Sequence, residues 1–250
     1  MREWITGRNP VFEIFQTRRR EIFRLLVASS TEEKGKLSEI LNQAAGRRIP
    51  VQRVPRQQLD ALGESHQGIA LEVSAYPYAD YSDILKCANQ RQELPLILLL
   101  DMLQNPQNLG TLLRTAEAVG VHGIIIPPRR AASITPAVVH ASAGATEHLL
   151  VAQMNLAQAI DLLKSAGVWV VGLAGEAAQP ISHAPLDAPL ALVVGNEGEG
   201  MRTLVAKKCD MLVNLPMRGK IESLNAAVAG SIALYLAWMT RQQKKTETAA

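Results

Sequence analysis

The sequence predicts an α/β protein of two domains, the second built on a parallel sheet, and three observations carry that prediction. After Pro95, six nearly continuous apolar runs alternate with helix-like stretches. Three of those runs end in turns rich in glycine and polar residues. A shorter, more basic region with its own strand and helix patterns comes before them. Apolar runs buried on both faces and separated by helices are what a parallel sheet covered on two sides requires.

In the first region the apolar periods give strands at 22–27, 51–54 and 69–73, with helices over 11–18, 34–45 and 56–62. This assigns residues 1–75 to a compact N-terminal domain. The Tyr76-Pro77-Tyr78 break and a polar helix over 81–92 place a linker at 76–93. The second domain, 94–242, has strands expected at 96–100, 123–126, 148–152, 168–173, 190–194 and 211–215, and the polar residues 243–250 form an expected flexible tail.

Composition narrows the class. No run approaches the roughly 20 apolar residues of a membrane span, and the Met1-Arg2-Glu3-Trp4 start has no apolar leader, so the expected address is the cytoplasm. Cys87 and Cys209 are far apart with no CxxC pair, and the five histidines are scattered, so no metal site is expected. The net charge is +3, and residues 1–75 hold all of the excess, with 12 Lys/Arg against 9 Asp/Glu. Arg18, Arg19, Arg20 and Arg24 are candidate nucleic-acid phosphate contacts, as are Arg47, Arg48, Arg53 and Arg56; a solvated basic surface explains them equally well.

The first of the three turns, 101–110, joins a buried strand to a helix over 111–119. Asn108 can cap that helix and Gly110 keeps its first turn open to a ligand. Arg114 is either an ordinary exposed helix residue or a guanidinium aimed at phosphate or a developing alkoxide. The second turn, Gly195-Asn196-Glu197-Gly198-Glu199-Gly200, has the spacing G-x-x-G-x-G, which is not a dinucleotide fingerprint, and it comes late in the domain. The third, Leu215 to Asn225, precedes a helix over 226–238 whose alanines and Gly230 form a slim face. Ser223 and Asn225 can be caps of that helix, and no G-x-S-x-G elbow surrounds the serine.

Together the turns resemble the three motifs of SpoU-type (TrmH-like) members of the SPOUT RNA 2′-O-ribose methyltransferases. Asn108-x-Gly110-x-x-x-Arg114, Gly195-x-Glu197-x-x-Gly200 and the stretch Pro216-Met217 to Ser223-Leu224-Asn225 occur in the family's order. Gly7 to Glu13 and His66-Gln67-Gly68-Ile69-Ala70 are similar to the start and end of a substrate-binding domain that resembles ribosomal protein L30e. Arg8-Asn9-Pro10 departs there from the family's commoner Gly-x-His-Ala-Val type.

The resemblance implies an L30e-like domain followed by a catalytic domain with a deep trefoil knot. It also implies S-adenosylmethionine as cofactor, held by Gly195, Asn196, Gly200, Leu215, Met217 and Leu224. Asn108, Arg114, Glu197, Ser223 and Asn225 become the catalytic set, and the chain a homodimer through its catalytic half, to which the 226–238 helix is suited. The nearest group of the family methylates a guanosine of 23S ribosomal RNA, with transfer RNA as the alternative substrate. A ribosome-assembly factor that binds RNA without turnover is a further alternative, against which the intact motif residues argue. A nucleotide-dependent oxidoreductase has only the late glycine cluster in its favour.

Overall fold

The chain opens with a strand that the apolar pattern does not announce, β1 (Arg2–Thr6), followed by α1 (Arg8–Thr17), β2 (Ile22–Ala28), α2 (Lys36–Gly46), β3 (Val51–Val54), α3 (Arg56–Asp60) and β4 (Ile69–Ser74). These come from a computed structural model that describes residues 2–63, 65–129, 131–196, 198–221 and 223–249, the side chains of 248 and 249 excepted. The four strands pair in the order β1-β4-β2-β3, antiparallel except for β2 with β3. Alternation along β2 sends Leu26 and Ala28 to a cluster with Val54, Leu59 and Ala70. Leu25 and Val27 therefore point to the other face.

Then come α4 (Tyr81–Gln90), β5 (Leu96–Leu100), α5 (Pro106–Ala118), β6 (Gly123–Ile126), α6 (Pro136–Ala141), β7 (Val151–Gln153), α7 (Leu156–Ser165), β8 (Trp169–Leu173), β9 (Gln179–Pro180), β10 (Leu190–Val194), α8 (Thr203–Lys208), β11 (Met211–Asn214) and α9 (Ala226–Ala249). Here the strands form a second, wholly parallel sheet in the order β7-β6-β5-β10-β8-β11-β9. Every residue of β5 and β10 is buried, as central strands of a sheet covered on both faces must be. Ile97, Leu99, Ala191 and Val193 pack with residues of α4, α7 and α8. Val194 turns the other way, where a Cβ on Gly230 of α9 would sit 3.1 Å from it and 2.9 Å from Leu112 of α5.

Contacts divide the chain into two units, Met1–Pro77 with Ile134–His148, and Tyr78–Ser133 with Leu149–Ala250. Residues 134–148, expected inside the second domain, thus belong with the first. Arg20 holds them there: its guanidinium donates from Nε and Nη2 to the two carboxylate oxygens of Glu147 at 3.0 and 2.9 Å, and from Nη1 to Glu3 at 2.9 Å. The Tyr76 hydroxyl adds a bond to the Thr146 carbonyl at 3.0 Å, and burial first of all pushes that phenol up to about 12. The expected linker 76–93 is also structured, because α4 buries Ile84 and Ala88 in the second unit. Likewise the expected tail continues α9 to Ala249, with Lys244 donating to Asp187 at 2.7 Å.

Smaller differences have local causes. The strand expected at 148–152 starts at Val151, because His148 ends a 3-10 turn of the first unit. β9 escapes a pattern search because Gln179–Pro180 is a two-residue edge strand with no apolar run.

Candidate active site

All three glycine-rich turns follow strands of one parallel sheet, so they lie at its carboxyl end, where open α/β sheets bind ligands. β5 and β10 are direct neighbours with Leu100 opposite Val194, which sets the first and second turns side by side. Asp101, wholly buried, closes that junction. Its amide donates to the Val194 carbonyl at 2.8 Å, and its carboxylate accepts from the Arg202 amide at 2.8 Å and from Arg202 Nε at 2.7 Å. Sequence reading missed this pair. A carboxylate placed directly after five buried strand residues needs a cationic partner, and that requirement was the available signal.

The second turn is fastened on itself. Asn196 and Gly200 exchange backbone hydrogen bonds at 3.1 and 3.2 Å, and the Asn196 side chain accepts from the amides of Gly198 and Glu199 at 2.9 and 2.7 Å. Gly195 is required by that closure, since a Cβ there would lie 2.3 Å from the Gly200 carbonyl carbon. Glu197 lies outside the described residues.

The third turn meets the first through Asn225. Its Nδ2 donates to Asn108 Oδ1 at 3.3 Å, while its Oδ1 caps α9 by accepting from the amides of Ala227 and Val228 at 3.0 and 3.3 Å. Nearly two turns further along, Ser231 Oγ donates to Thr115 Oγ1 at 2.9 Å. Asn108 itself is not the cap of α5: the helix starts five residues earlier than expected, with Asn105 accepting from the amides of Gln107 and Asn108. Pro106 at the first helical position explains the early start, because its fixed φ and missing N–H suit that place.

Arg114 is exposed on α5 and, among the described residues, has no ion-pair partner. It follows Gly110 by one helical turn on the same face, so no side chain stands directly before it there. That face is not the one carrying Asn108, Leu112 and Thr115 toward α9. Ser223 is exposed, as are Met217, Ile221 and Leu224, which leaves three large apolar side chains uncovered around the third turn. Leu215 is half-buried.

The slim face of α9 has another use than the expected one. Ala226, Ala227, Gly230, Ala233 and Ala237 are buried, with Gly230 against α5 and β10, so this face is occupied within the chain. Val228, Ile232, Tyr235, Trp238 and Met239 are exposed instead. A cavity of about 960 Å³ lies at the other end of the sheet, lined by Leu96, His122, Asp187, Trp238 and Arg241, and is no part of this site.

Of the arginines expected to hold RNA, the structure corrects Arg20 and gives Arg19 and Arg24 partners within the chain. Arg20 is buried in its pair with Glu147 and Glu3, which balance its charge, so it is not the exposed phosphate contact expected. Arg19 donates to the carbonyls of Glu147 and Pro77 at 3.0 and 3.2 Å, and Arg24 to Glu72 at 2.7 Å while lying over the Trp4 ring. A basic run in sequence is dispersed here because carboxylates arrive from β1, β4 and residues 134–148. Arg18 stays exposed. Burial pushes the Cys209 thiol up to about 12, so it is inert near neutral pH. Among the described residues no group of three His, Cys, Asp or Glu could hold a metal ion, and no helix is long and apolar enough to cross a membrane.

Residues 95–235 match the model of the SpoU rRNA Methylase family, and residues 4–79 match that of RNA 2′-O ribose methyltransferase substrate binding. The chain belongs to the SpoU rRNA methylase family and is an RNA methyltransferase. Among its relatives, YacO of Bacillus subtilis (strain 168), named for the TrmH family of tRNA/rRNA methyltransferases, is 42% identical over 96% of both chains. A protein named for the same family in Staphylococcus aureus (strain MSSA476) is 42% identical, covering 92% of this chain and 93% of its own. The SpoU methyltransferase AviRb from Streptomyces viridochromogenes, solved with AdoMet, shares the fold with a TM-score of 0.81 at 23% identity, over 97% of this chain and 91% of its own. An AdoMet-bound rRNA methyltransferase from Sinorhizobium meliloti gives 0.79 at 24%, over 96% and 87%.

Proposed function

We propose that the chain transfers a methyl group from S-adenosylmethionine to a ribose 2′-hydroxyl of structured RNA, with a guanosine of 23S ribosomal RNA as the target. The observation that supports this best is the meeting of the three turns at one sheet end, tied by Asp101 to Arg202 and by Asn225 to Asn108. S-adenosylmethionine supplies, when bound, an electrophilic methyl on a sulfonium. The residues present fit it: Met217, Ile221 and Leu224 leave an apolar surface for an adenine, beside a turn of Gly195, Asn196 and Gly200 whose backbone can approach closely.

On this reading Gly195, Asn196, Gly200, Leu215, Met217 and Leu224 hold the cofactor, with Glu197 shaping the turn. Asn108 and Asn225 position the reacting groups with Ser223. Arg114 orients the RNA and stabilises charge developing on the 2′-oxygen as the hydroxyl proton passes to solvent water, because guanidinium groups stay protonated and serve poorly as bases. Homodimerisation through the second unit goes with it. Val228, Ile232, Tyr235 and Met239 repeat at steps of four, three and four along α9, an apolar stripe that a second copy would cover.

The test is transfer of tritiated methyl to ribosomal and transfer RNA from a strain lacking the gene, followed by mapping of the methylated ribose. Label in a 23S guanosine is the expected result. Label in transfer RNA alone would move the substrate to the alternative that the relatives' tRNA/rRNA names keep open, and no label in either would remove the activity. Gly195→Ala is expected to displace the Gly200 backbone and lower S-adenosylmethionine affinity by about tenfold or more, an overpacking effect of about 1–3 kcal/mol. Calorimetric titration giving wild-type affinity would show that the turn does not touch the cofactor.

A further inference from the structure

α1 and α2 run side by side in the same direction. Lys36, at the start of α2, donates to Asn9 at the start of α1 at 2.8 Å, and Arg47 at the end of α2 donates to the carbonyl of Phe15 near the end of α1 at 2.5 Å. Beyond their carboxyl ends lies a cavity of about 460 Å³ lined by Arg18, Arg20, Ile22, Gly46, Arg47 and Ile49, with no acidic residue among them.

Cations near a helix carboxyl end are ordinarily favourable, and that accounts for Arg47, which caps a terminal carbonyl of α1 and also donates to Gln43 Oε1 at 3.3 Å. It covers the charge of Arg18 as well, but gives that guanidinium nothing to donate to. This residue ends α1 in the left-handed region at φ +54°, a place glycine usually takes, and its guanidinium has no acceptor among the described residues. Its charge opposes that of Arg47, whose pKa is lowered by burial first and by Arg18 second. The third arginine, Arg20, lines the cavity with its own charge balanced by Glu147 and Glu3. Two guanidiniums that repel each other across a cavity without a carboxylate are arranged for an anion.

We infer that the Arg18–Arg47 cavity receives a backbone phosphate of the substrate RNA. The inference rests on the reading above that RNA is the substrate, and assigns a phosphate contact within that RNA's footprint. It replaces the contiguous arginine run of the sequence by one residue of that run and one from the end of α2.

Arg18→Gln in the full chain is the test, with a short fluorescein-labelled RNA hairpin as probe and binding followed by anisotropy over a range of KCl concentrations. Losing one phosphate contact should flatten the slope of log K against log salt by about 0.7–0.9 and weaken binding severalfold at low salt. Arg18→Lys should keep most of the slope, and S-adenosylmethionine affinity should not change in either variant. A wild-type slope for Arg18→Gln overturns the inference. The two readings separate cleanly: a wild type that methylates RNA with a silent Arg18→Gln removes only the phosphate site. A wild type that methylates no RNA while Arg18→Gln still loses a contact removes only the reaction.

Discussion

Arg114→Ala is expected to lower methyl transfer by about 10²–10³-fold, the usual effect of removing a group that stabilises charge in a transition state, while S-adenosylmethionine binds as tightly as before. The reason is its placement. The guanidinium is exposed, has no ion-pair partner among the described residues, and leaves α5 on a different face from the Asn108 to Asn225 contact. Its removal therefore disturbs neither the packing of α5 on α9 nor the closed second turn. A 2′-hydroxyl is a weak nucleophile, and a fixed positive charge lowers the energy of the alkoxide that forms as the methyl moves. Lysine at this position is expected to recover little, since its point charge cannot reproduce a planar fork. Single-turnover transfer and calorimetric cofactor binding separate the possibilities. Equal loss of both, or full activity in the variant, would show that Arg114 does not act on the RNA.

The second large effect concerns stability. Glu147→Ala should destabilise the fold by about 3–5 kcal/mol, because it leaves the Arg20 charge buried with Glu3 as its one remaining ion-pair partner among the described residues. Both side chains of the Arg20–Glu147 pair are wholly buried, and burial pushes the Glu147 carboxyl up while Arg20 pulls it down. The charges have been taken out of water and are tolerable only together. Arg20→Met combined with Glu147→Leu should for that reason recover most of the loss. The damage should fall on the first unit, where both residues lie, and hydrogen exchange of β1, β2 and β4 should accelerate before that of β5 and β10. Urea denaturation showing less than about 1 kcal/mol of change for Glu147→Ala would identify the pair as solvated in solution.

Much of the second sheet was legible in the sequence because its central strands are buried on both faces and so carry unbroken apolar runs. β5, β6 and β10 lie at their expected residues. β1 was not, since Arg2-Glu3-Trp4-Ile5-Thr6 is charged and half-exposed at its start and becomes a strand only by pairing with β4. The motif residues were legible as a set of turns, and their meeting followed from parallel topology. Asp101 and Arg202, a hundred residues apart, showed no such pattern.

By itself the sequence determined the α/β class, the order of the three turns and the glycines that their tight backbone demands, because periodicity and backbone sterics act locally. Tertiary structure alone decided which charges remain free. Arg18, Arg19 and Arg20 are adjacent in the chain, yet one faces a cavity, one binds carbonyls and one is buried against Glu147. A charge's role depends on the partners that reach it through space, and residues 134–148 reach Arg20 only once the chain has folded.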